Sequence, residues 1–258
     1  MDININYKMI PKIIHYCWFG RNPLPKSAQK CIASWRKYLP DYEIKEWNED
    51  NFDVNIIPYT KEAYEAKKYA FVSDYARFWV LYKYGGLYFD TDVEVIKPLD
   101  DIIARGAFMG LEKGAYRDGK PLVAPGLGLG VEANHPFYKS MLSIYNEMAF
   151  LNADGSQKEG TVVTITSDVL YEEGMLPSEE IQQVFGIWIY PADYFCPLDS
   201  TTGILSVSEN TVSIHHYDAS WLDHSTFRFR LHQLKNCIFK LMGAQVANML
   251  NKKLRRIV

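Results

Sequence analysis

Two aspartates two positions apart, Asp90 and Asp92, follow the apolar run Gly85-Gly86-Leu87-Tyr88-Phe89. On a continuing strand, side chains at i and i+2 point the same way; where the strand ends and the chain turns, both carboxylates reach one ion. Hard divalent cations such as Mg²⁺ or Mn²⁺ take a few carboxylate oxygens and complete their shell with phosphate oxygens of a substrate. A site of that kind suits a diphosphate, whose charge it neutralises as the group departs. The competing reading is a solvated turn, and a DxD pattern alone is weak. The buried run before it is an odd place for surface charge, which favours the metal.

A second constellation, Ser73-Asp74-x-x-Arg77, places Asp74 and Arg77 three apart and therefore on one helix face. Exposed, such a pair is worth only a few tenths of a kcal/mol. Here Phe71, Phe78, Trp79 and Leu81 surround it. A carboxylate held by an arginine to accept ribose or sugar hydroxyls is the functional alternative. The third is His215-His216-Tyr217-Asp218-Ala219-Ser220-Trp221. Strand alternation sends the two histidines to opposite faces, so one of them can complete a carboxylate site with an imidazole.

The elements that must position these residues follow from the apolar pattern. Residues 10–20 (IPKIIHYCWFG) read as a first buried strand, 25–38 as a helix and 42–47 as a second strand, a βαβ beginning. Units of this kind put ligands at the carboxyl ends of parallel strands. Residues 60–84 read as two helical pieces breaking near Tyr69. The second is apolar all round and so buried, and Gly85-Gly86 ends it. Residues 87–89 are then a short buried strand, and extended chain resumes over 93–96. Further on, 106–110 reads as a strand, 114–130 as loop, 136–151 as a helix, and 161–170 as strand or helix. Residues 187–190 and 211–216 read as strands, and 227–256 as a basic helix interrupted at Gly243.

Composition sets the outer bounds. The chain has 258 residues, 48% of them hydrophobic and 23% charged, so one large globular domain is expected and disorder is not. Tyr and Trp are plentiful enough to stack on bases or sugars, although core packing accounts for most of them. The formal charge of −3 hides an asymmetry. Arg228, Arg230, Lys235, Lys240, Lys252, Lys253, Arg255 and Arg256 stand in a tail without Asp or Glu. The body is correspondingly acidic, and nucleic acid is not an expected partner. The tail either packs on the body or meets an anionic membrane surface. Scattered cysteines, a polar N-terminus and the absence of a long apolar run predict a cytoplasmic protein, peripheral at most at the inner face of a membrane.

Taken together, IPKIIHYCWFG, AFVSDYARFWVLYKYGGLYFDTDVEV and TVSIHHYDASW resemble the family 32 glycosyltransferases, a group with a DxD-containing sugar-binding region found in bacterial capsular and surface-polysaccharide synthesis. They are more distantly similar to the catalytic domains of the clostridial glucosylating toxins. The resemblance implies an α/β fold of GT-A type, a single nucleotide-binding domain with a central mostly parallel sheet, over residues 1–224. Residues 225–258 are expected to make up the basic helical extension. It further implies Mn²⁺ or Mg²⁺ as cofactor and a nucleotide-sugar donor, UDP-linked by default with GDP as the alternative. Transfer would go, with retention of configuration, to a saccharide or lipid-linked saccharide acceptor.

Carried over by motif, Ile14, His15 and Trp18 lie beside the base, and Ser73, Asp74 and Arg77 hold ribose and sugar hydroxyls. By the same resemblance Asp90 would contact the sugar and ribose side of the donor, Asp92 would bind the metal directly, and His216 is the preferred third protein ligand. Ser220 and Trp221 would close over the diphosphate. The stretches 126–130 and 161–168 match no acceptor pattern, and neither Asp168 nor Asp218 is fixed as a nucleophile. Two other readings stand beside this one. A haloacid-dehalogenase-type phosphatase would use Asp90 as nucleophile, and a sugar-binding protein on the same fold would have lost catalysis.

Overall fold

The computed structural model describes residues 9–218. The elements, in order, are β1 (Ile13–Cys17), α1 (Lys26–Tyr38), β2 (Glu43–Trp47), α2 (Pro58–Glu65), α3 (Tyr69–Tyr84), β3 (Gly86–Tyr88) and β4 (Val93–Val95). There follow α4 (Asp100–Ile103), β5 (Phe108–Arg117), β6 (Lys120–Val123), β7 (Leu129–Val131), α5 (Pro136–Asn146) and α6 (Val162–Glu172). The last are β8 (Gln182–Val184), β9 (Ile187–Tyr190), α7 (Ala192–Phe195) and β10 (Ser213–His215). The basic helix expected over 227–256, and with it the division at residue 225, lies outside the described residues.

An eight-stranded sheet in the order β2-β1-β3-β7-β5-β9-β8, with β6 paired to β5, forms the centre. Strands β2, β1, β3, β5 and β9 run one way, and β7, β8 and β6 oppose them. The architecture is the expected α/β one, with parallel β1–α1–β2 at its start. Alternation along the strands sorts the two faces. Ile14, Tyr16, Leu87 and Phe89 join Ile32 and Trp35 of α1 in one core, while Cys17 and Tyr88 join Val72 and Phe78 of α3 and Tyr138 of α5 in the other.

Local chemistry explains the central elements. Pro58 opens α2 at a position whose N–H would have no helical partner. Helix α3 buries Val72, Tyr75, Ala76, Phe78, Val80 and Leu81, which suits a helix that packs on the sheet and on α5. It ends at Gly85, and Gly86 follows at φ 101°. A side chain at 86 would strike the Ile13 carbonyl, so the glycine lets β3 slide in beside β1.

Two stretches differ from expectation. Residues 114–130 are not mainly loop: β5 runs on to Arg117 and turns into the β6 hairpin, and β7 closes the sheet beside β3. Glycine-rich composition hid these strands, because they carry few side chains to show a period of two. The ambiguous segment from 161 is helical, started by a capping box in which Thr161 and Thr164 exchange side-chain and backbone bonds.

Candidate metal and donor-binding site

The carboxyl ends of β1 and β3 open into a cleft of about 710 Å³, lined among others by Trp18, Phe19, Lys67, Tyr69, Ser73 and Arg77. That volume is within the usual range for a small-molecule site. Tyr88, Asp90, Thr91, Asp92, His215 and Tyr217 are also part of the lining. The cleft lies where ligands of open α/β sheets bind, beyond the strand ends.

Asp90 continues the alternation of β3, so it shares a face with Tyr88 and with α3. The Tyr88 hydroxyl donates to Asp90 Oδ1 at 3.0 Å, and Arg77 Nη2 is 3.3 Å from the same oxygen. The guanidinium also pairs with Asp74 Oδ1 at 2.9 Å and donates from Nε to the Ser73 carbonyl at 3.2 Å. One buried arginine thus serves two carboxylates. Burial pushes Asp74 up to about 7, with Arg77 opposing and Asp90 adding to the rise. Asp90 is raised as well, by burial against the pull of Arg77.

The chain turns after Asp90, and β4 leads away to pair antiparallel with β10 in a separate two-stranded sheet. His215 stands opposite Val93 in that register, one step from Asp92. Its Nε2 lies 3.1 Å from Asp92 Oδ1. The other Asp92 oxygen accepts the Asp218 N–H at 3.0 Å. Burial would raise Asp92, but His215 and the Asp218 N–H hold it below the usual carboxylate value. Burial would lower His215, but Asp92, and more weakly Asp90 and Glu112, raise it overall.

Asp90, Asp92 and His215 each offer a ligand atom, all within 4.8 Å of one another. Two carboxylates and an imidazole are a donor set that fits a hard to borderline divalent cation such as Mn²⁺ or Mg²⁺. The imidazole that stands with the two aspartates is that of His215, where His216 was expected. Alternation allowed one histidine inward, and the β4–β10 register selects the first. His216 gives its backbone N–H to the Asp92 carbonyl at 2.9 Å and points its ring outward, with Nε2 2.8 Å from Glu94 Oε2.

The other expected donor contacts divide. Trp18, Ser73 and Arg77 line the cleft. Ile14 and His15 do not: both are fully buried inside β1, upstream of the strand end. The His15 ring is spent on structure, with Nε2 2.9 Å from the Gly85 carbonyl and Nδ1 accepting from Trp47 Nε1 at 3.0 Å. Burial lowers its pKa to about 4, so it stays neutral. Asp74 is not in the lining; it is buried and pairs with Arg77, whose guanidinium it helps to position. Asp168 pairs with Arg117 on the β5–β6 hairpin side and is absent from the lining too. Ser220 and Trp221 lie outside the described residues.

Several participants escaped sequence reasoning. Tyr88 was visible in principle, two positions before Asp90 on one strand. Lys67 lines the cleft in the left-handed region at φ 57°, for which the sequence carries no signal. Gly126 matters through space alone: its carbonyl accepts the Asp90 N–H at 3.1 Å, and a Cβ there would collide with Asp90 Oδ2.

The chain is similar to known proteins over part or most of its length. The chain is 29% identical over 145 residues to inositol phosphoceramide mannosyltransferase 3 of Schizosaccharomyces pombe, covering 55% of this chain and 38% of that protein. It is 25% identical over 237 residues to an uncharacterized glycosyltransferase, L373, of Acanthamoeba polyphaga mimivirus, covering 84% and 85%. The chain thus spans little more than a third of the length of that mannosyltransferase. A solved glycosyltransferase involved in glycosylation of the major capsid of PBCV-1 superposes with TM-score 0.47 at 12% identity, over 86% of this chain and 98% of that one. Residues 25–109, which hold α1 through the start of β5 and both aspartates, match the family described as the glycosyltransferase sugar-binding region containing a DXD motif.

Proposed function

We propose that this chain is a divalent-cation-dependent glycosyltransferase acting on a nucleoside-diphosphate sugar. The observation that carries this reading is the Asp90/Asp92/His215 cluster at the mouth of β3, inside a cleft whose described lining includes aromatic and cationic side chains. Asp90, Asp92 and His215 would hold Mn²⁺ or Mg²⁺, whose chemistry is to neutralise the diphosphate as it leaves. Arg77, fixed by Asp74, aims a permanent charge at the sugar side of Asp90. Trp18, past the end of β1, offers an indole face to the base.

The donor by resemblance is a UDP-hexose. The mannosyltransferase names among the relatives make GDP-mannose the second donor to compare, and a lipid-borne acceptor beside a saccharide one. Retention of anomeric configuration also comes from the resemblance. The front-face route suits this cleft better than a covalent intermediate, because its described lining carries no carboxylate beyond Asp90 and Asp92. A phosphatase using Asp90 as nucleophile is disfavoured. That reading leaves the Ser73-Asp74-x-x-Arg77 constellation, whose arginine pairs with both Asp74 and Asp90, without a role.

The test is nucleoside diphosphate release from a panel of UDP- and GDP-sugars with Mn²⁺, with EDTA, and in Asp92→Ala. Slow hydrolysis of one donor, abolished by EDTA and by the substitution, is the expected result. Donor binding that is undetectable with Mn²⁺ present would return the protein to the sugar-binding reading.

A further inference from the structure

His215 lacks the restraint that usually orients a ligating imidazole. Its Nε2 faces Asp92, but Nδ1 is buried with no hydrogen-bond partner among the described residues. Histidine ligands ordinarily have their second ring nitrogen bonded to a carboxylate, carbonyl or water, which sets the rotation of the ring. Among the described residues, packing is what restrains its rotation. The neighbour that supplies it is Tyr217, whose ring meets the imidazole edge-on at 4.2 Å between centroids and 67° between planes.

Tyr217 is itself tied at its far end. Its hydroxyl donates to Glu112 Oε1 at 3.0 Å and lies 3.0 Å from Cys196 Sγ, whose thiol can donate to the same oxygen. Glu112 belongs to β5 and Cys196 immediately follows α7, so the tether reaches the main sheet from a residue just past β10. The backbone at Tyr217 sits at φ 54°, in the left-handed region that bulky side chains rarely adopt. That turn is what brings the ring back over His215 instead of letting the strand continue.

We propose that Tyr217 is a positioning residue that clamps the His215 imidazole in its ligating orientation, with Glu112 and Cys196 holding the clamp. This rests on the reading of Asp90, Asp92 and His215 as the cation site. Tyr217 is not required to touch the cation.

The experiment is titration of the metal-free full chain with Mn²⁺ alone, by calorimetry or by loss of the free-ion electron-spin signal, with thermal midpoints recorded for every variant. Tyr217→Leu should weaken Mn²⁺ binding by about 10-fold, the lower end of what loss of a ligand's support costs. Tyr217→Phe, which keeps the ring and loses the tether, should fall between Leu and the wild type. In the His215→Ala background, Tyr217→Leu should cost nothing more, because the clamp acts only through that ring. A role limited to folding would move the midpoint and leave the affinity of the folded fraction alone.

Wild-type protein that binds no Mn²⁺, or binds it equally well as Asp92→Ala, would remove the cation-site reading itself. Mn²⁺ binding that is weakened by Asp92→Ala and His215→Ala but unchanged in both Tyr217 variants would overturn the clamp and leave the site standing. If Tyr217→Leu does not fold, Tyr217→Phe decides alone, and wild-type affinity in it overturns the proposal.

Discussion

The carboxylate of Asp90 occupies the space that any side chain at Gly126 would need, while the Asp90 N–H donates to the Gly126 carbonyl at 3.1 Å. Gly126 is therefore the floor on which the first aspartate of the DxD pair rests. Gly126→Ala should displace Asp90 Oδ2 and weaken Mn²⁺ binding about 10-fold or more, as loss of support for a ligand does. The overpacking should cost stability only about 1–3 kcal/mol. Metal titration beside a denaturant melt checks both, and an alanine variant with wild-type metal affinity would show that the floor is not needed.

The two adjacent histidines should separate cleanly. His215→Ala removes an imidazole 3.1 Å from Asp92, whereas His216→Ala removes one that meets exposed Glu94. Mn²⁺ affinity and donor hydrolysis should collapse in the first and stay near wild type in the second, since an exposed pair contributes about 0–1 kcal/mol. The reverse pattern would restore His216 as the ligand.

Arg77 is buried between Asp74 and Asp90, so deleting its charge strands both. Arg77→Met should destabilise the fold by about 3–5 kcal/mol, the usual consequence of breaking a buried pair from one side. Adding Asp74→Asn should recover part of that loss and none of the activity. Chemical denaturation of the single and double variants checks this, and a single variant within about 1 kcal/mol of wild type would contradict it.

His15 makes stability depend on pH with a definite sign. Its pKa falls from 6.5 to about 4 on folding because the ring is buried. Between those values the unfolded chain binds the extra proton, so stability is full above pH 6.5 and is lost as pH falls towards 4. The contribution is on the order of 3 kcal/mol across that window. Melts from pH 4 to 7 should show this slope in the wild type and a shallower one in His15→Asn; equal slopes would place the effect elsewhere.

The sequence alone determined the α/β start, the position of α3 and the place of the DxD turn at a strand end. Each of these is written in local terms: a period of two or 3.6, a glycine pair closing a helix, and acids after an apolar run. That a histidine from 215–216 would stand beside the two aspartates was also legible. Which of the two it is was not, because alternation leaves two answers and only the pairing of β10 with β4 chooses. His15 shows the same limit from the other side. Its motif pointed to the nucleotide, but its place upstream of the strand end gave the ring to Trp47 and Gly85. Asp74 stands behind Arg77, Gly126 beneath Asp90 and Tyr217 against His215 through contacts between elements distant in sequence or through an unusual backbone turn. Such contacts exist only after the sheet has closed, so the tertiary structure alone could decide them.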